Sequence, residues 1–97
     1  MISTHILDTE QGRPAAGVAV SLYRGDELVS TGVTDRDGRI GDMSEGQSLG
    51  AGAYRMVFEV QRPFFERVEV TIAVQAGEHY HVPLLLSPYS CVVYRGS

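Results

Sequence analysis

The three histidines of this sequence are the side chains best suited to proton transfer near neutral pH. His79 and His81 are two residues apart, and alternate residues of a strand point to the same face, so both imidazoles can converge on one site. With His5 as a third ligand, they would form a zinc site with an open position for water. Two separate surface histidines explain the same spacing, and the residues alone leave both interpretations open.

Several other chemistries lack the residues that they require. All eight basic residues are Arg, and without a lysine amine the chain can neither build a Walker-type phosphate loop nor form a Schiff base. If Gly38 stood at the sixth position of a calcium loop, Val33 and Ser44 would occupy the first and twelfth, which require Asp and Glu. Residues 35–38 therefore predict a β-turn instead. No G-x-S-x-G elbow occurs, and Cys91 lies beside apolar residues, so nucleophilic catalysis has little support.

The overall charge and the cysteine content limit the partners and the compartment. A net charge of −4 disfavours binding to nucleic acid or to an anionic membrane, because both need a basic face. The single cysteine cannot form a disulfide within the chain, which fits a reducing compartment. There is no apolar run near the ~18 residues of a membrane span and no signal-peptide pattern. We therefore expect a soluble, cytoplasmic protein that binds neither nucleic acid nor membrane.

Alternation of apolar and polar residues with a period of two predicts that strands position these side chains. Turn residues separate about eight such segments over residues 1–97, the pattern of a single domain built as an antiparallel two-sheet sandwich. Pro83 cannot donate to a ladder, so we expect an edge or a bulge at that position. The predicted strands are residues 2–7, 16–24, 27–34, 54–60, 68–74, 79–86 and 90–95, with a loop or short edge strand in 41–52.

Short motifs in a fixed order connect the sequence to a known family. They are Ser-Thr-His-Ile-Leu-Asp-Thr at 3–9, Gly-Arg-Pro-Ala-Ala-Gly at 12–17, Asp-Gly-Arg at 37–39, the stretch that begins His-Tyr-His-Val-Pro at 79–89, and Tyr-Arg-Gly-Ser at 94–97. With these motifs the chain resembles the 5-hydroxyisourate hydrolases, the transthyretin-related enzymes of urate degradation. Each motif is weak alone, but their order makes the resemblance, which spans residues 3–97, specific.

The resemblance implies an architecture and an assembly. The fold would be an all-β, transthyretin (prealbumin)-like sandwich of two four-stranded antiparallel sheets. Four copies would form a homotetramer, a dimer of dimers, with active sites in the clefts between subunits. Relatives carry a small helix between the fifth and sixth strands, and the connection at 61–65 is shorter here, which predicts a short or truncated helix.

The resemblance also implies the reaction and the residues that perform it. The reaction is hydrolytic opening of 5-hydroxyisourate to 2-oxo-4-hydroxy-4-carboxy-5-ureidoimidazoline, without a metal or another cofactor. A neutral histidine with a pKa near ~6.5 suits the base that activates water, and a planar, permanently charged Arg suits a planar substrate and its developing oxyanion. Which histidine is the base stays open. By position, the catalytic residues would be His5, Arg39 and His81, and the substrate-binding residues His79, Tyr94, Arg95, Gly96 and Ser97.

Two alternatives and one departure accompany this hypothesis. Transthyretin-like carriers share the fold, so a non-catalytic small-molecule binding protein is one alternative, and the three-histidine zinc hydrolase is the other. Relatives commonly have an aromatic and two hydroxyl residues where this chain has Cys91, Val92 and Val93. This departure predicts a more apolar pocket floor and leaves His5, Arg39 and His81 unchanged.

Overall fold

Two sheets hold most of the regular structure. The computed structural model describes residues 1–97, which form nine strands and no helix, and therefore no helix that could cross a membrane. The strands are β1 (Ile2–Asp8), β2 (Arg13–Pro14), β3 (Ala19–Arg24), β4 (Glu27–Val33), β5 (Arg39–Ile40), β6 (Gly52–Glu59), β7 (Val68–Val74), β8 (Tyr80–Leu86) and β9 (Cys91–Val93).

The strand order confirms the predicted two-sheet, all-β sandwich. The first sheet has the order β2, β1, β8, β9, with β5 paired to β1 as a further short strand. The second sheet has the order β4, β3, β6, β7, and all of its pairs are antiparallel. Apolar side chains from both sheets form one buried cluster between them.

The first sheet differs in detail from four antiparallel strands. The two-residue strand β5 adds a fifth member, and β1 runs parallel to β8 from the pair Ile2 and Tyr80 to the pair Asp8 and Leu86. A hairpin forces its two strands to be antiparallel, but β1 and β8 lie far apart in the sequence and no hairpin joins them. The parallel pair brings residues from the two ends of the chain side by side.

Burial of one face of β1 fixes the direction in which its polar side chains, Ser3 and His5, point. Ile2, Thr4 and Ile6 are almost fully buried, whereas Ser3 and His5 lie on the opposite, outer face. Each buried aliphatic side chain contributes roughly 1.5–3 kcal/mol relative to exposure. A register slip by one residue would lose this burial and turn His5 into the core, so the apolar pattern holds the histidine outward.

The predicted short helix between the fifth and sixth major strands is absent. The segment between β6 and β7 turns back on itself instead, because the amide of Gln61 donates to the carbonyl of Glu66 (3.0 Å) and the amide of Arg62 donates to the carbonyl of Phe65 (2.7 Å). Gln61 has a φ of 51°, outside the helical region, and Pro63 has no amide to donate. The connection is too short to hold a helical turn as well as this reversal.

The prediction of an edge or a bulge at Pro83 is wrong. Its strand, β8, lies between β1 and β9, and the pairs Leu84 with Val93 and His81 with Gly96 keep one register. The amide of Tyr94 donates to the Pro83 carbonyl (3.4 Å). Proline has no N–H, so it cannot donate the second hydrogen bond of a regular pair. The regular ladder with β9 therefore stops at Val93, and the chain continues beside β8 with fewer bonds.

Candidate active site

Three adjacent strands place the predicted catalytic residues on the outer face of the first sheet. His5 on β1 is paired with Arg39 on β5, and Ser3 on β1 is paired with His81 on β8. A cavity of about 330 Å³ opens at this face. Its lining includes Ser3, Arg39, His79, His81, Gly96 and Ser97, whereas His5 lies on the same face beside Arg39 and outside the lining. Residues from both ends of the sequence and from one internal turn thus meet at a single site.

A tight turn delivers Arg39 to the side of His5. One carboxylate oxygen of Asp35 accepts the amides of Asp37 (2.9 Å) and Arg39 (3.0 Å). The Arg39 amide is the main reason that the pKa of the Asp35 carboxyl lies below its usual value, against an opposing effect of burial. Gly38 has a φ of 74°, and a Cβ there would fall on the carbonyl oxygen of Ile6. Only glycine fits this turn without strain.

Burial and the positive charge of Arg39 favour the neutral form of His81. The pKa of His81 is lowered from its usual 6.5, first because the ring is partly buried and then because the charge of Arg39, and that of a protonated His5, would repel a cation on His81. Nδ1 of His81 lies 2.8 Å from Oγ of Ser3. No Asp or Glu side chain lines the cavity. At neutral pH the site therefore combines a neutral imidazole with the permanent positive charge of Arg39.

The C-terminal tail contributes two of its four predicted residues to the cavity of a single chain. The Gly96 amide donates to the carbonyl of His81 (2.7 Å), and both Gly96 and Ser97 line the cavity. Arg95 turns away, since its guanidinium lies 3.6 Å from a carboxylate oxygen of Glu78 and 4.4 Å from the ring centre of Tyr80. Tyr94 is 47% exposed and lies outside the cavity lining.

His79 borders the same cavity as His81 but lies just before β8 and is exposed. The chain has no group of three or more His, Cys, Asp or Glu side chains placed to hold a metal ion. The three-histidine zinc alternative therefore lacks an assembled ligand set within one chain.

The residues at which this chain departs from the family pattern do not form the floor of the cavity. Cys91 and Val93 pack against the core, whereas Val92 lies on the outer face and is 51% exposed. None of the three lines the cavity. Within a single chain, the predicted apolar floor is thus not part of the site.

Ser3 is a residue of the site whose role the motifs do not predict. Its hydroxyl contacts His81 across the parallel pair of β1 and β8. The one signal in the sequence is the alternation along β1, which puts Ser3 on the same face as His5. The partner of Ser3 could not be inferred, because it depends on the parallel register.

A larger cavity, of about 640 Å³, lies at the other end of β1 but offers less chemistry. Its most buried charged side chain, Asp8, is 3.3 Å from the guanidinium of Arg62 and caps the amides of Glu10 and Gln11. The pKa of Asp8 is lowered, mainly by the Gln11 amide, so its carboxylate is ionised and already bonded. The cavity has no histidine in its lining and so no group that titrates near neutral pH.

Known proteins resemble this chain over almost its whole length. The model of the HIUase/Transthyretin family matches residues 2–96. A protein of Rhizobium meliloti named 5-hydroxyisourate hydrolase 2 is 43% identical, over 99% of this chain and 95% of its own. The solved 5-hydroxyisourate hydrolase of Klebsiella pneumoniae superposes with a TM-score of 0.92 at 38% identity, covering 99% and 98% of the two chains.

A solved transthyretin resembles this chain as well. Sea bream transthyretin, solved with thyroxine, gives a TM-score of 0.86 at 32% identity over 98% of this chain and 93% of its own. These similarities confirm the transthyretin-like fold. Since a hydrolase and a transthyretin that holds thyroxine share this fold, the function of the chain must be argued from the side chains of its site.

Proposed function

The chain belongs to the HIUase/Transthyretin family, and from this premise we propose that it hydrolyses 5-hydroxyisourate to 2-oxo-4-hydroxy-4-carboxy-5-ureidoimidazoline. The observation that carries the proposal is the meeting of His5, Arg39 and His81 at one outer face, with His81 held neutral. The names of the Rhizobium and Klebsiella relatives support the same substrate. The reaction belongs to urate degradation.

The site residues divide the chemistry of ring opening between them. A neutral histidine takes a proton from water as the water oxygen bonds to the ring carbonyl carbon. Arg39 pairs with the planar, oxygen-rich substrate and stabilises the negative charge that develops on the attacked carbonyl oxygen. The C–N bond then breaks, and the leaving nitrogen receives a proton. Every proton is supplied by water and imidazole, so the proposal needs no metal or cofactor.

A homotetramer with sites between subunits is part of the proposal. On the outer face of the first sheet, Val92 and Tyr94 are about half exposed. Neither residue lines the cavity of one chain, although both lie on the face of the sheet where the cavity opens. An apolar border of this kind next to an open site suits a second subunit, which would cover it and complete the cleft. We also propose a cytoplasmic location, which cell fractionation would test.

Spectrophotometry tests the activity directly. Urate oxidase generates 5-hydroxyisourate from urate in the cuvette, and its decay is followed with and without the protein. We expect rapid decay that is lost in His81→Ala and Arg39→Ala, preserved in the control Arg36→Ala, and indifferent to a chelator. Arg36 is the matched control because it is an exposed arginine of the same turn that lies outside the cavity lining.

The carrier alternative predicts a different result. The similarity to sea bream transthyretin is the observation in its favour. A non-catalytic binding protein would leave the decay at its spontaneous rate and would still bind a substrate analogue, with an affinity that calorimetry measures. Decay that stops on addition of chelator and returns with zinc would instead support the zinc hydrolase.

A further inference from the structure

We propose that Ser3 and Gly96 are positioning residues that hold the His81 ring with its proton on Nε2, so that His81 is a hydrogen-bond donor to the substrate and His5 is the base that activates water. This inference rests on the proposed hydrolytic function. It assigns different roles to His5 and His81, which the motifs alone do not distinguish.

The ring of His81 is held on one edge by β1 and on the other by the C-terminal tail. On one edge, Oγ of Ser3 on β1 lies 2.8 Å from Nδ1. On the other edge, ring carbon Cδ2 lies so close to the backbone of Gly96 that a Cβ there would approach it to 2.6 Å. The Gly96 amide also bonds to the His81 carbonyl, which fixes the tail against β8. Nε2 has no hydrogen-bond partner in the chain and is left for the substrate.

The direction of the hydrogen bond between Ser3 and His81 decides which nitrogen carries the proton. The Ser3 hydroxyl has no other acceptor in the chain, so it satisfies its own proton by donating to Nδ1. Arg39 lies on the same side of His81 as Ser3, because β1 separates β5 from β8. A cation on that side favours the tautomer in which the ring nitrogen facing it carries a lone pair and the other nitrogen carries the proton. Both effects place the proton on Nε2.

A neutral imidazole that carries its proton on Nε2 cannot also accept a proton there. His81 therefore donates a hydrogen bond to the carbonyl oxygen as negative charge develops, next to the guanidinium of Arg39. The water proton goes to His5, whose ring makes no hydrogen bond in the chain, and His5 returns it to the ring nitrogen as the C–N bond breaks. One proton is taken and one is given, and both histidines end the cycle neutral.

The absence of a side chain at Gly96 is the second feature that holds the His81 ring in place. Gly96 does not have a positive φ, so alanine is compatible with its backbone. The added Cβ would meet Cδ2 of His81 at 2.6 Å and Cγ of Pro83 at 3.2 Å. Because Pro83 is held within β8, the imidazole is the group that must move. Gly96→Ala should therefore displace the His81 ring with little effect on folding.

Nitrogen NMR of the histidine rings tests the proposal on the intact, resting protein. In ¹⁵N-histidine-labelled protein, His81 is assigned by comparison with His81→Gln. We expect wild type to show His81 protonated on Nε2 and unprotonated on Nδ1. Ser3→Ala should give a mixture of the two tautomers, and Ser3→Thr, which keeps the hydroxyl, should restore the wild-type pattern. A wild-type His81 that carries its proton on Nδ1 would overturn the proposal.

Kinetics of the same variants give the second readout. Loss of one hydrogen bond to His81 should lower kcat/KM about tenfold in Ser3→Ala, through kcat, and Ser3→Thr should recover most of it. Gly96→Ala should lower kcat at an unchanged melting temperature. The controls are Ser21→Ala, on the other sheet, and Gly41→Ala, where a Cβ meets nothing within 4 Å. Wild-type kinetics in Ser3→Ala would contradict the positioning role.

Failure of the proposed function gives a different pattern. If wild type did not accelerate the decay of 5-hydroxyisourate, the hydrolase would be excluded, and with it the donor and base roles. The ring NMR would still report whether Ser3 sets the tautomer, because it needs no turnover. An active wild type with the opposite tautomer would keep the hydrolase and overturn only the assignment of the two histidines.

Discussion

Arg39 is the only arginine in the lining of the cavity, and its shape matters as much as its charge. Its guanidinium can make two parallel hydrogen bonds to a planar anion, whereas a lysine ammonium offers a point charge. We predict that Arg39→Lys lowers kcat/KM about a hundredfold although the net charge is unchanged. Steady-state kinetics measures the loss, and Arg36→Lys, made in the same turn, should stay at the wild-type rate. Equal activity of Arg39→Lys and wild type would show that the positive charge of Arg39 suffices and that its planar shape does not matter.

The charge state of His81 gives a second prediction at the level of single residues. Because burial, Arg39 and His5 all lower its pKa, His81 should become protonated only at a pH below 6.5. An NMR titration should find that midpoint in wild type. In Arg39→Ala the midpoint should move upward, but not fully to 6.5, since burial is the larger cause and remains. A midpoint that did not move would mean that the charge of Arg39 does not reach the ring.

The turn before β5 is the element on which the position of Arg39 depends. Gly38→Ala would force a side chain into a left-handed conformation and against the carbonyl of Ile6, which accepts the amide of Ala15. We predict a loss of at least about 1 kcal/mol in the free energy of unfolding, measured by urea denaturation, together with a loss of activity. Gly41→Ala, three residues later in open space, is the matched control. A Gly38→Ala variant as stable as this control would show that the turn adapts.

Long strands were predictable from the sequence, because burial of one face imposes alternation on them. β6 and β7 are such strands, and their predicted faces are confirmed by the buried Tyr54, Met56 and Phe58 and by the partly buried Val70 and Ile72. β2 and β5 have two residues each, too few to show a period. The parallel partnership of β1 and β8 leaves no local signal either, since alternation fixes the face of a strand but not its neighbour.

The sequence predicted only those residues of the site that lie in recognisable motifs. The spacing of His79 and His81 indicates a shared site, and both do border one cavity. The pairing of Arg39 with His5 depends on β5, and that of Ser3 with His81 depends on the parallel register. Neither contact follows from spacing along the chain. Residue types and order therefore identified the candidates, while the contacts between them required the fold.

Acid stability is a property of the whole molecule, to which groups in different elements contribute. The lowered pKa of His81 means that stability is present above its unfolded value of 6.5 and is lost as the pH falls through the lower folded value. The pKa of Asp8 is lowered mainly by the Gln11 amide, so its contribution is present above 3.8 and is lost at lower pH. We predict two declines in the free energy of unfolding as the pH falls, measured by urea denaturation.

Two variants assign these declines. His81→Gln should remove part of the decline below pH 6.5. Asp8→Asn keeps an oxygen to accept the amides of Glu10 and Gln11 but cannot titrate, so it should reduce the decline below pH 3.8. An Asp8→Asn protein with the wild-type acid profile would place the titrating group elsewhere.

Assembly is the other property of the whole molecule that the outer face predicts. Val92 is exposed beside Leu85 on the sheet that carries the site. Burying a carboxylate there would be costly, so Val92→Glu should dissociate the proposed tetramer and reduce activity with it. Sedimentation velocity and the spectrophotometric assay measure both effects. Leu28→Glu, an exposed position on the other sheet, is the control. A monomeric wild type with full activity would exclude sites between subunits.

The parallel pair of β1 and β8 also determines when the protein can fold. Their contacts join residues 78 positions apart, as between Ser3 and His81. A ribosome makes β1 first, so the edge of β1 that pairs with β8 must wait unpaired until nearly the whole chain has emerged. Contacts of such long range slow folding, although the entropy of closing the loop grows only with the logarithm of its length. Until translation reaches the last strands, the nascent chain exposes an unpaired strand edge and has neither a complete first sheet nor an assembled site.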